Sequence, residues 1–153
     1  MSDVTFEFLD AFEFAELVAA APQVVEAEIT TATDRVAIYG MGVSIKATPW
    51  KSGHLRRNHA QIPTSYSAGY ARGGWGNAVP YAEAVDQGRG PVFAKNAKAL
   101  KFTPKGAKGP IFRKSVGPAD PRPFMEPGRE AAESRLDVEF SGAIQRIVEA
   151  LGG

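Results

Sequence analysis

Two histidines, a few acids and three glycine-punctuated stretches are where this chain could do chemistry. His54 and His59 stand five residues apart. On a helix that spacing puts them on different faces, unlike the i, i+4 histidines of a zinc-binding helix. No carboxylate lies near them in sequence, so both read as surface imidazoles. Ser52 sits beside His54, but a nucleophile–base pair needs a third group to orient the base, and it would have to come from afar. The run GMGVS, Gly40 to Ser44, is too short for a phosphate loop and falls inside an amphipathic pattern, so it reads as helix. GGWGNA matches no nucleotide-binding fingerprint. Glu83 and Asp86 could form a carboxylate pair, yet beside a turn they read as surface acids. These residues form no catalytic constellation. The expectation is a protein that is not an enzyme and that needs neither cofactor nor metal.

The groups that remain are cations. Residues 94–114 hold seven basic side chains (Lys95, Lys98, Lys101, Lys105, Lys108, Arg113 and Lys114) and no acid. Such a cluster could neutralise phosphates without base-specific geometry, line a DNA passage, or grip an acidic neighbour. Single-strand binders usually add aromatic stacking platforms, for which Phe93, Phe102 and Phe112 are the candidates. Phe102 and Phe112 are expected to pack the hairpin instead. A solvated lysine-rich edge that discourages strand pairing would also look like this.

Charge along the chain is uneven although the net is only +1. Residues 1–50 carry two bases and eight acids, residues 51–118 twelve bases and two acids, and residues 119–153 four bases and seven acids. The three segments therefore stand at −6, +10 and −3. A polarised chain can present an acidic and a basic face, and two copies can then meet head to tail. Glu26, Glu28 and Asp34 are the candidate acids for that contact. The 153 residues suit one domain, residues 1–153, and an apolar content of 44% suits one core. Without cysteine there is neither a disulfide framework nor a thiolate metal site. The opening MSDVTFEFLDAFEF carries acids where a signal peptide needs bases. No apolar run approaches the ~20 residues of a membrane span. The chain is expected to be made and used without secretion and without a membrane.

The elements that would position these groups follow from periodicity. VTFEFLDAF alternates as a short strand, and from Phe12 the pattern turns helical. Pro22 starts a new helix or kinks the old one. Val25, Ile29, Ala32, Val36, Tyr39 and Val43 then recur at helical spacing up to Pro49. Ser52 could cap a short turn over SGHLRRNHA. QIPTSYSAGY and GGWGNAVPYA read as two strands, with Gly73, Gly74 and Gly76 marking tight turns or close backbone approach. PYAEAVDQG reads as one helical turn closed by Gly88. Leu100, Phe102, Ile111 and Phe112 flank the loop TPKGAKGP of a wide hairpin. A last helix begins near Pro127, with Ala131, Leu136, Phe140, Ile144, Ile147 and Leu151 as its stripe and Gly152 as its end. The fold class expected is α+β: a long N-terminal helix and a C-terminal helix on a small antiparallel sheet, with a protruding hairpin arm.

The order SGHLRR, VPYAEAVDQGRG, NAKALKF and PRPFMEPG resembles the neck proteins of long-tailed double-stranded DNA phages, a resemblance that covers about residues 12–150. These are variously called head–tail joining, tail-completion or minor tail proteins. The family's TGxLRRS-like turn corresponds to Ser52, Gly53, His54, Leu55, Arg56 and Arg57, with Ser for the usual Thr. Its YAxxVExGT segment corresponds to Tyr81, Ala82, Val85, Asp86 and Gly88, with Asp86 for Glu and Arg89 for a small hydroxyl residue. Its PxPFLxPA segment corresponds to Pro121, Pro123, Phe124, Met125, Pro127 and Gly128. The resemblance implies a structural virion protein that forms a homo-oligomeric ring, about six copies closing by rotation, at the head–tail junction. It would join the filled capsid to the tail, on the tail side as a completion or terminator ring, and let DNA pass. Its partners would be connector and tail-tube proteins, with non-specific contact to genomic DNA in the channel. It would be made in the bacterial cytoplasm and reside in the virion. A small basic-armed nucleic-acid-binding protein is the alternative, and a hydrolase using His54 or His59 is a further rival. In either case the prolines around Phe124 set an extended lead-in to the last helix, with Phe124 as its anchor in the core.

Overall fold

Pro22 and Pro49 bracket the longest element. In the computed structural model, which describes residues 2–7, 19, 21–51, 53–104 and 106–151, helix α1 spans Pro22–Ala47 with Pro22 in its first turn, where a missing N–H costs nothing. The helix ends because Thr48 precedes Pro49, whose ring disfavours a helical residue before it. Thr48 accordingly has φ −62° and ψ 127°. The helical pattern read from Phe12, the far end of the first strand at Phe8, the cap at Ser52, Lys105 and the stop at Gly152 lie outside the described residues.

Strand β1 (Ser2–Glu7) and the hairpin β2 (His59–Ser67) and β3 (Tyr70–Asn77) form an antiparallel sheet in the order β1-β3-β2. The hairpin turns over Ala68 and Gly69, both left-handed at φ 50° and 83°, as a two-residue turn of matching twist requires. The second strand thus starts at Tyr70, earlier than the glycine run. Gly73, Gly74 and Gly76 lie within β3 and not at tight turns, and Gly73 serves close approach. A Cβ on Gly73 would stand 2.3 Å from Thr64 Oγ1.

Helix α1 lies on this sheet, and the last helix, α4 (Glu126–Ala150), packs along α1. Trp75 fills the junction. It is fully buried, and its indole N–H donates to Ser44 Oγ at 3.0 Å. A Cβ on Gly40 of α1 would meet its ring at 2.4 Å, and one on Gly128 of α4 would meet the Gly40 carbonyl oxygen at 2.5 Å. The helices therefore cross where two glycines leave room for an indole.

The buried stripe of α1 runs Val25, Ile29, Ala32, Val36, Ala37, Gly40 and Ser44. Tyr39, expected on it, is exposed under the guanidinium of Arg135. On α4 the buried residues are Gly128, Ala132, Phe140, Ala143 and Ile147; Ile144 and Leu151 are exposed, not part of the stripe. The α+β class holds, with α1 lying on the sheet and α4 packed along α1. Among the described residues no helix is long and apolar enough to cross a membrane.

Candidate functional site

The basic stretch forms an antiparallel ribbon that stands off the body. Its root is a bridge in which Arg89 N–H donates to the Ala119 carbonyl at 3.0 Å and Ala119 N–H to that of Arg89 at 2.9 Å. Beyond it β4 (Val92–Phe93) pairs with β7 (Ser115–Val116), and β5 (Leu100–Phe102) pairs with β6 (Ile111–Arg113). The Arg89 guanidinium donates to the carbonyls of Gly90 and Gly117 at 3.3 and 3.2 Å, tying both limbs together. Gly88 makes the root possible. Its φ is +77°, and a Cβ there would stand 2.8 Å from the Ala119 carbonyl oxygen.

Lys95, Lys98, Lys101, Lys108, Arg113 and Lys114 are all exposed along this arm. The described part of the tip turns at Gly106, φ +87°. Leu100, Phe102 and Ile111 are half-buried, but they lie in the tip-side pair of strands and not at the ribbon's base. Phe112 is not half-buried. The register sets it opposite Lys101, on the other face of the ribbon from Phe102 and Ile111, because successive side chains alternate faces. It is 63% exposed, and Phe93 62%. The Lys101 ammonium lies over the Phe112 ring at 5.9 Å from its centre, a cation–π distance.

At the arm's root, the segments quoted as motifs meet. The Asp86 carboxylate accepts from the backbone N–H of Phe124 at 2.7 Å and of Met125 at 3.0 Å. The Arg122 N–H donates to the Val85 carbonyl at 2.8 Å. Helix α3 (Ala82–Asp86) thus clasps the lead-in to α4. Asp86 is therefore half of no surface acid pair; it caps this junction. Phe124 is fully buried, edge-on to the His59 ring with centres 5.5 Å apart. Pro123 is exposed and Pro127 half-buried in the first turn of α4.

The short helix α2 (His54–Arg57) does a related job. Gly53 starts it in the left-handed region at φ 70°, and Leu55 is buried. Arg56 stacks on Trp50 at 5.2 Å and donates to the carbonyls of Lys46 and Thr48 at 3.1 and 3.2 Å, groups that the end of α1 leaves unpaired. Buried Asn77 donates to the Leu55 carbonyl at 2.7 Å and accepts from Val79 N–H at 3.1 Å.

The histidines go to different partners. His54 is exposed, with Nδ1 3.2 Å from the Tyr81 hydroxyl; Tyr81 is itself exposed, and Ala82 beside it is buried. His59 is half-buried. The Thr48 hydroxyl donates to the Ser44 carbonyl at 2.7 Å, so it accepts from His59 Nε2–H at 2.9 Å. That fixes the neutral tautomer, and Nδ1 is buried without a partner. Burial pushes the His59 imidazole below its ordinary value. Among the described residues, no group of three His, Cys, Asp or Glu could hold a metal.

Two of the three acids assigned to a neighbour's surface are engaged within the chain. Asp34 Oδ1 accepts from Gln61 Nε2 at 2.7 Å and Thr64 Oγ1 at 2.6 Å, holding α1 to β2. Glu28 accepts from Arg146 Nε at 2.6 Å, holding α1 to α4. Glu26 alone of the three is exposed. The sequence pattern also missed an open cleft of about 650 Å³ under the arm's root, lined by Lys51, Tyr81, Arg89, Asp120 and Arg122 among others. The signal available was that three motif segments, far apart in sequence, share its walls.

No family model, curated protein or solved structure matches the chain. What the arrangement offers is a surface: a charged, partly apolar ribbon rigidly rooted in a body whose motif residues brace that root.

Proposed function

We propose that the chain is a structural subunit of a phage neck, one of a ring of about six copies at the head–tail junction. The ring joins the filled capsid to the tail and lets DNA pass. It works by shape and charge, without catalysis or a cofactor. The observation that carries the reading is the arm. A ribbon whose described cations are all exposed and whose strands, among the described residues, pair with one another gains little from folding its own subunit. Its exposed Phe93 and Phe112 are left for something outside it. The order of motif segments, which resembles that of neck proteins, supports the same reading, and the motif residues Gly88 and Asp86 brace the arm's root.

The test removes the tip. Deleting Thr103 to Pro110 and closing the ribbon with a short turn should leave the melting temperature nearly unchanged while abolishing head–tail joining. Infectious particles at the wild-type level from that variant would reduce the arm to a solvated edge.

A nucleic-acid-binding arm is the second reading, favoured by the pairing of exposed lysines with Phe93 and Phe112. Duplex and single-stranded DNA titrated over a salt series separate the two. A dedicated binder holds DNA near physiological salt with a steep slope, whereas a collar subunit binds weakly.

A further inference from the structure

One flank of α4 is marked out along its whole length. Glu126, Glu130, Glu133 and Asp137 are exposed and recur at four- and three-residue spacing. The same spacing carries on into Ile144, Val148 and Leu151, exposed by 37%, 47% and 36%. At 3.6 residues per turn these positions form a single strip, acidic over its first half and apolar over its second. From Glu126 to Leu151 it runs about 37 Å at 1.5 Å per residue. Arg129, which donates to Glu126 and to Glu133, the latter at 2.5 Å, is the cation in the acidic half. Four acids less one base leave −3. The strip borders the buried stripe Ala132, Phe140, Ala143 and Ile147 that packs on α1, and therefore faces outward.

The arm carries the complementary pattern. It has basic side chains and no acid over residues 94–114, together with exposed Val92, Phe93 and Phe112. We propose that the arm of one copy lies along this flank of α4 in a second copy. Its lysines meet the acidic half, and Phe93 and Phe112 cover the apolar half. The inference deepens the collar reading and rests on it for the premise that copies stand side by side. Because arm and flank are different surfaces, the contact is heterologous and can repeat around a ring. DNA fits the arm less well. A duplex keeps its bases stacked within the helix and out of reach of Phe93 and Phe112, and the −3 strip would repel one lying across the body. The flank also replaces Glu26, Glu28 and Asp34 as the acceptor, since Glu28 and Asp34 already hold α1 to its neighbours.

The experiment places a photo-crosslinking amino acid at position 112 of the full chain, an exposed site. Isotope-labelled and unlabelled copies are mixed, irradiated over a concentration series up to the solubility limit, and mapped by mass spectrometry, with and without duplex DNA. The expected result is links between differently labelled copies, ending in residues 126–151. The pair Glu130→Lys and Asp137→Lys should cut their yield at least about tenfold, since like charges are costly across an interface. Reversing Lys98 and Lys101 to Glu in the partner should restore it. The milder pair Glu130→Gln and Asp137→Asn, giving a partial loss, covers the case in which reversal disturbs the fold. Raising salt from about 0.05 to about 0.5 M should also weaken the links. The proposal is overturned by links that end elsewhere on the chain or within one copy, by their absence at the solubility limit, or by their transfer to DNA. Any of these would leave the collar reading standing, because a ring can close through other surfaces; that reading falls only in the particle itself.

Discussion

Replacing Asp86 by Ala should do more damage than a residue in a five-residue helix suggests. Its carboxylate oxygen holds the N–H groups of Phe124 and Met125 at 2.7 and 3.0 Å, joining α3 to the start of α4. A hydrogen bond to a charged group contributes about 1.5–3 kcal/mol. Truncation strands two donors beside a fully buried Phe124, although the site is only partly buried and water can reach some of it. The net loss should be about 2–4 kcal/mol. For a domain of this size each kcal/mol moves Tm by about 2–4 °C, so Asp86→Ala should melt roughly 5–15 °C below wild type. Asp86→Asn keeps an acceptor but loses the charge, and should cost about half as much. Gln87→Ala, next door and exposed, should stay within about 0.5 kcal/mol. Urea and thermal unfolding give the magnitudes, and amide hydrogen exchange at Phe124 and Met125 gives the location. If Asp86→Ala melts within about 1 °C of wild type, or those two amides exchange as before, the clasp contributes nothing and the reasoning fails.

Three further outcomes are expected. Phe124→Ala empties a fully buried aromatic site and should cost on the order of 3–5 kcal/mol by equilibrium unfolding. Gly128→Ala drives a Cβ to 2.5 Å from the Gly40 carbonyl oxygen and should destabilise by about 1–3 kcal/mol or more, whereas Gly42→Ala, with open space around it, should be neutral or slightly stabilising in thermal melts. His59 is held neutral by burial below the ordinary imidazole value of 6.5, so the unfolded chain takes up a proton that the native chain resists; stability should fall as pH drops below about 6.5, level off below the native value, and lose that dependence in His59→Gln.

Much of this architecture was legible in the residues because prolines and glycines marked its joints. Pro22 and Pro49 bounded α1, Gly88 closed α3, and TPKGAKGP announced the arm. What was not legible came from contacts between distant segments. Tyr39 and Ile144 fit the helical period, but α1 and α4 meet along adjacent stripes set by Gly40, Gly128 and Trp75, and periodicity alone does not show which edge of an apolar face is covered. Phe112 was expected inside because it is aromatic; the register, fixed by pairing with Lys101, turned it outward. Asp34, Glu28 and Asp86 looked like surface acids, since nothing in sequence announces that Gln61, Thr64, Arg146 and two backbone amides would come to them. The basic arm was visible as a composition. That Phe93 and Phe112 stand exposed on it, and that α4 carries an exposed acidic and apolar flank, needed the fold.

If the chain is the phage neck subunit proposed above, a reconstruction of the phage particle is the most direct test of the collar. The account predicts a ring of its copies at the head–tail junction, with each arm reaching beyond its own subunit around a channel wide enough for DNA. Particles without copies at that junction, or with the chain found only outside the virion and bound to nucleic acid, would contradict it.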